Sequence, residues 1–119
     1  MNSDASKTDE GFQTQFCALE YRKRNLSGAV PIILIALKDD SENLRLLVDP
    51  KWRTIVQKED LEYIGSLLTD FPNRAQLDSL ALFKQLCLLD VGPLVTQETG
   101  TNISRHPVLS ELCSGFVQL

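Results

Sequence analysis

Residues 30–37 read VPIILIAL and residues 44–48 read LRLLV, with Lys38-Asp39-Asp40-Ser41-Glu42-Asn43 between them. Two apolar runs around a polar connection are the signature of a β-hairpin with a longer loop. The first run is apolar at successive positions. Such a strand needs cover on both faces, which places it at the centre of a sheet. In the second run Leu44, Leu46 and Val48 alternate with Arg45 and Asp49, with Leu47 interrupting. That pattern describes a partner strand less fully covered.

Helical sequence follows the hairpin. After the Asp49-Pro50-Lys51 turn, Trp52 to Val56 reads as a short third strand. From Gln57 to Phe71 the stripe Leu61, Ile64, Leu68, Phe71 repeats at helical spacing, with Glu59, Glu62, Ser66 and Asp70 opposite. Pro72 is expected to stop this helix, leaving 73–76 as a link. The stripe should cover the central strand, so Ile33, Ile35, Leu46, Leu61, Ile64 and Leu68 are expected in one core. A second helix is expected from Leu77 to Leu89, starting near Asp78 or Ser79 and closed by Asp90-Val91-Gly92-Pro93. It carries two apolar groups, Leu80, Phe83 and Cys87 on one side and Leu82, Leu86 and Leu89 on the other. With the first group against the sheet, the second points outward and needs cover. A second subunit or the C-terminal segment (Val108, Leu109, Leu112, Phe116) can supply it.

The flanks are less regular. Residues 1–11 are polar and read as a flexible tail before a single domain over 12–119. From Phe12 to Arg24 two patterns compete. Phe12, Phe16 and Leu19 fit a helix, while Phe12, Thr14, Phe16 and Ala18 alternate as in a strand. Residue types tip the reading to helix, and Asn25 to Gly28 ends the segment. Leu94 to Thr96 reads as a last edge strand, 97–102 as a polar loop, and Pro107 as the first turn of a short helix through Cys113, ended by Gly115. The fold class is therefore α+β: a small, mainly antiparallel sheet packed against two principal helices.

Composition excludes some functions. Lys+Arg 12 against Asp+Glu 16 gives a net charge of −4, which disfavours broad binding to nucleic acid or anionic membranes. The longest apolar run, residues 29–37, is too short to span a bilayer. The acidic N-terminus MNSDASKTDEG lacks the form of a secretory signal, so a cytoplasmic protein is expected. Cys17, Cys87 and Cys113 are odd in number and widely spaced, as expected for free thiols acting as small core hydrophobes.

Motifs for chemistry are few. His106, the single histidine, stands at a helix entry and reads as a surface residue. Cys-x-x-Cys and paired histidines are missing, so no metal is expected. Asp39 to Asn43 is oxygen-rich but lacks the spacing and glycine of a calcium loop. Glycine-rich phosphate loops are absent and no cofactor is expected. Lys51-Trp52-Arg53 sets an indole, expected to be partly exposed, between two cations. That arrangement can grip an anion or stack on a planar ligand. Two functions follow. The first is a non-catalytic protein–protein interaction or regulatory module that self-associates, with Leu82, Leu86 and Leu89 as the candidate homodimer interface. The second is a small-molecule or anion-binding protein, at most a minor enzyme, using Trp52, Arg53 and Lys51.

Overall fold

The structure is a computed structural model that describes residues 14–23 and 31–119. The expected tail at 1–11 and the turn at 25–28 lie outside the described residues. Strand β1, Gln15–Tyr21, corrects the helical reading of the first segment. Phe16 and Ala18 enter one core, while Cys17, Leu19 and Tyr21 enter another on the opposite face. With both faces covered, Phe16 to Leu19 are apolar at successive positions and the period-2 signal is lost. Pairing on both sides then overrides helix propensity.

Strand β2, Ile32–Lys38, and strand β3, Leu44–Val48, form the expected hairpin. β2 is antiparallel to both β1 and β3, with Ala18 opposite Ile35 and Ala36 opposite Leu46. The connection is closed by Asp39. Its carboxylate accepts from Ser41 N–H (2.9 Å), Asn43 N–H (2.9 Å) and Asn43 Nδ2 (3.0 Å). Those hydrogen bonds, with the Asn43 side chain first, hold the Asp39 carboxyl below the usual carboxylate range.

Trp52 to Val56 is not a strand. It forms a one-turn helix, α1, Trp52–Ile55. Asp49 accepts the Lys51 N–H (2.8 Å) and starts the turn. Trp52 and Val56 are both buried, a spacing that one helical turn satisfies as well as a strand does. A 3-10 turn, Lys58–Asp60, leads into helix α2, Leu61–Leu77. Ile64, Leu68 and Phe71 are buried along its inner stripe. The expected stop at Pro72 is corrected, because the helix runs through it. Proline removes a single N–H bond, and beyond it Ala75 still packs on the core.

Helix α3, Ser79–Leu86, starts at Asp78, which accepts the Ala81 N–H (3.0 Å). Strand β4, Asp90–Val91, turns at Gly92 (φ 64°) into strand β5, Leu94–Thr101. The Asp90 to Pro93 segment is thus a hairpin rather than a plain helix end. The loop expected at 97–102 is strand almost throughout, and β5 lies inside the sheet beside β1. Polar, half-exposed residues gave no hydrophobic period there. Helix α4, Pro107–Gly115, starts at the expected proline and runs two residues past Cys113, and strand β6, Val117–Gln118, pairs with β3. The sheet order is β4-β5-β1-β2-β3-β6, antiparallel throughout.

The sheet is covered on both faces. α2 and α3 close the larger core over Ile33, Leu46, Ile64 and Leu68, with Leu61 at its margin. Ile35, expected in the same group, faces the other way. It packs with Phe16, Ala18 and Leu109 beneath α4. Cys17, Cys87 and Cys113 are free thiols.

Candidate functional site

The leucine triplet expected at an interface is internal. Leu82, Leu86 and Leu89 are 2%, 0% and 7% exposed and belong to the larger core. Helical geometry explains the correction. At 100° per residue, Leu82, Leu86 and Phe83 span an arc of about 100° with Leu86 between the other two, and Leu89, past the helix end, joins the same core. Laying that arc on the sheet buries the largest side chains together. Leu80 and Cys87 fall at its margin, half-buried, while Ala81, Lys84, Gln85 and Leu88 are exposed.

Trp52 is also internal, at 8% exposure, against the expectation of a partly exposed indole. Its ring packs toward α2, where a Cβ added to Gly65 would lie 3.5 Å from it. Arg53 lies over the indole, 4.6 Å from the ring centroid. An open cleft of about 740 Å³ adjoins them, lined by Trp52, Arg53, Ser66, Thr69, Asp70 and Asn73 among others. The structure thus brings Trp52 and Arg53 to one cleft. Lys51 is not among its lining residues. Asp70 faces Arg74 at 3.8 Å, whereas Arg53 has no ion-pair partner among the described residues.

A second polar cluster ties β1 to the start of α2. The buried Tyr21 hydroxyl donates to Asp60 Oδ2 (2.5 Å) and accepts the Gln57 N–H (3.1 Å). Lys23 Nζ lies 2.9 Å from the same carboxylate. Burial first, then the Asp60 hydrogen bond, pushes the Tyr21 hydroxyl up. The Tyr21 hydrogen bond first, then Lys23, holds Asp60 below the usual carboxylate range. Each group satisfies the others, and the cluster reads as a clamp. Asp60's contribution to stability is present above the ordinary carboxylate pKa and is lost as pH falls through its depressed folded value. Tyr21→Phe is expected to cost about 1–3 kcal/mol at neutral pH. The cost should shrink on acidification through that value, as urea unfolding at several pH values would show. An equal cost at every pH would mean that Asp60 has no part in it.

His106 caps α4. Its Nδ1 accepts the Leu109 N–H (3.3 Å), so Nε2 carries the proton toward Glu98 (3.1 Å). The ring also meets Phe16 edge-on, with centroids 6.1 Å apart. These contacts account for the imidazole by structure. Burial pushes the Cys17 and Cys87 thiols up. Burial does the same to Cys113. Raised thiols are poor nucleophiles. Among the described residues, no group of three or more His, Cys, Asp or Glu side chains is placed to hold a metal ion.

The feature that sequence reading missed is the outer side of β5. β4 covers it only at Leu94 and Val95, and Leu89 O takes the Thr96 N–H (2.9 Å). Beyond that point, among the described residues, no strand pairs with the outer side of residues 97–101. The stretch Gln97-Glu98-Thr99-Gly100-Thr101 has no lysine, arginine or proline. Those residues are among the means of blunting an edge, of which this stretch keeps only Glu98 and a bulge at Gln97. The opposite edge ends in the two-residue β6, and very short edge strands are themselves protective.

Comparison with protein-family models, with curated proteins and with solved structures finds no match to this chain.

Proposed function

We propose that the protein is a non-catalytic interaction module that self-associates through the open edge of β5. The supporting observation is that, among the described residues, no strand pairs with the outer side of residues 97–101. Exposed edges of this kind are templates for strand addition, with main-chain hydrogen bonds supplying the affinity. The proposal includes a cytoplasmic setting, supported by three free thiols. It also includes a protein rather than a nucleic-acid partner, supported by the net charge of −4. Among the described residues, no helix is long and apolar enough to cross a membrane.

Sedimentation velocity from low to high micromolar concentration tests the proposal. The wild-type mass should rise toward a dimer. Thr99→Pro, which removes an outward N–H, should stay folded by circular dichroism and remain monomeric. A wild-type chain that is monomeric at high micromolar concentration would overturn self-association. Association unchanged by Thr99→Pro would overturn the edge as its site.

A second reading rests on Arg53, held over Trp52 beside a cleft bearing Ser66, Thr69 and Asn73. A guanidinium with no ion pair among the described residues, next to hydroxyl and amide groups and with the cleft's Asp70 turned to Arg74, suits a small anion. Inorganic phosphate should then raise the melting temperature of the wild type relative to chloride of equal ionic strength, and Arg53→Ala should abolish the difference. An equal response of both chains would eliminate this reading.

A further inference from the structure

We propose that the strand added to β5 is β5 of a second copy, paired antiparallel across a two-fold axis at Thr99. This inference rests on the strand-edge reading above and specifies its partner and register.

The hydrogen bonding of β5 to β1 determines which of its residues can pair outward. Thr14, Phe16 and Ala18 stand opposite residues 102, 100 and 98 in one continuous register, and Asn102 N–H donates to Thr14 O (2.6 Å). In an antiparallel ladder, hydrogen-bonded and non-bonded pairs alternate. Gly100 and Glu98 therefore direct their backbone groups toward β1, while Thr99 and Thr101 direct theirs outward. The register shifts between Ala18 and Leu19, which face Glu98 and Thr96. Gln97 is the extra residue of that bulge.

Outward residues must meet outward residues, so a two-fold axis can pass only through a residue position. An axis at Glu98 would place that carboxylate directly opposite its own copy, which is destabilising. An axis at Thr101 would use little of the strand, because the chain turns away at Asn102 (φ 59°). An axis at Gly100 would set Glu98 against that turn. An axis at Thr99 lies at the centre of residues 97–101. Thr99 meets Thr99 of the second copy in a reciprocal pair of backbone hydrogen bonds, and Thr101 stands opposite the bulged Gln97. Glu98, the sole charge in the stretch, faces Gly100, which has no side chain to oppose it.

An apolar contact points the same way. Leu88 is 86% exposed and directly precedes Leu89, whose carbonyl is bonded to Thr96. The Thr99 axis brings Leu88 beside Thr101 of the second copy. A cleft of about 250 Å³, lined by Phe16, Phe83, Cys87, Thr99 and Thr101 among others, flanks that position. Symmetry repeats the contact, so each copy supplies one leucine and one cleft.

Cysteine cross-linking reads the register directly. A hydrogen-bonded antiparallel pair has Cα atoms about 5.5 Å apart, within disulfide range. Under diamide, most of the Thr99→Cys chain should become covalent dimer, with the parent chain as control. Gln97→Cys and Thr101→Cys should cross-link only when mixed. Leu88→Asp, at an exposed position, should keep its melting temperature and shift the dimer to higher concentration. Cross-linking of Thr99→Cys with Thr101→Cys instead would place the axis at Gly100 and overturn this register while leaving the edge reading intact. A dimer that yields none of these cross-links would place the second copy elsewhere and overturn both. A wild-type chain that never dimerises would do the same.

Discussion

Leu86→Glu is expected to unfold the chain, not to release a folded monomer from a dimer. Leu86 is fully buried at the middle of the arc that α3 lays on the sheet. The substitution forgoes about 1.5–3 kcal/mol of side-chain burial. It also places a carboxylate among Leu82, Phe83 and Leu89 with no cation in that core, a penalty of several kcal/mol more. Domains of this size have about 5–15 kcal/mol in total, so one such change removes most of it. Loss of the cooperative thermal transition, with an expanded hydrodynamic radius, is the expected result. A native circular dichroism spectrum would show that Leu86 is at the surface. The contrast with Leu88→Asp, two residues on and exposed, separates the buried arc of this segment from the side proposed for association.

Trp52→Ala is expected to cost about 3–5 kcal/mol, as for other buried aromatic truncations. The indole joins the one-turn helix α1 to the larger core and fills the space beside Gly65. Chemical denaturation of the variant against wild type measures the loss. Native emission should be blue-shifted and poorly quenched by iodide, because the ring is 8% exposed. A cost below about 0.5 kcal/mol, typical of surface changes, would return Trp52 to the surface. The separate Arg53→Ala variant probes the cleft without this packing loss, since Arg53 is exposed.

Legibility varied along the chain for definite reasons. The hairpin of β2 and β3 was readable because two apolar runs frame a polar connection closed by Asp39. The stripe Ile64, Leu68, Phe71 was readable because α2 is covered on one side only, which preserves its period. The start of α3 near Asp78 or Ser79 and the start of α4 at Pro107 were readable because the chemistry of helix starts is local. β1 was not readable, because burial on two faces erases alternation and leaves propensity to mislead. Pro72 misled because a single missing hydrogen bond weighs less than the packing on either side of it. Of the proposed functional surface, nothing was legible. A polar strand inside one partner and open to the other has no hydrophobic signature, and Gln97 to Thr101 reads as a loop.

Local chemistry in the sequence therefore determined the α+β class, the central hairpin and the presence of the main helices, since each depends on neighbours within a few residues. Only the tertiary structure decided which arc of α3 is buried, that Ile35 faces a second core, that Trp52 is internal, and that no strand among the described residues pairs with the outer side of β5 past the end of β4. Those outcomes depend on which distant element reaches a given face first. The free energy of burying one arc rather than another is a property of the whole packed assembly.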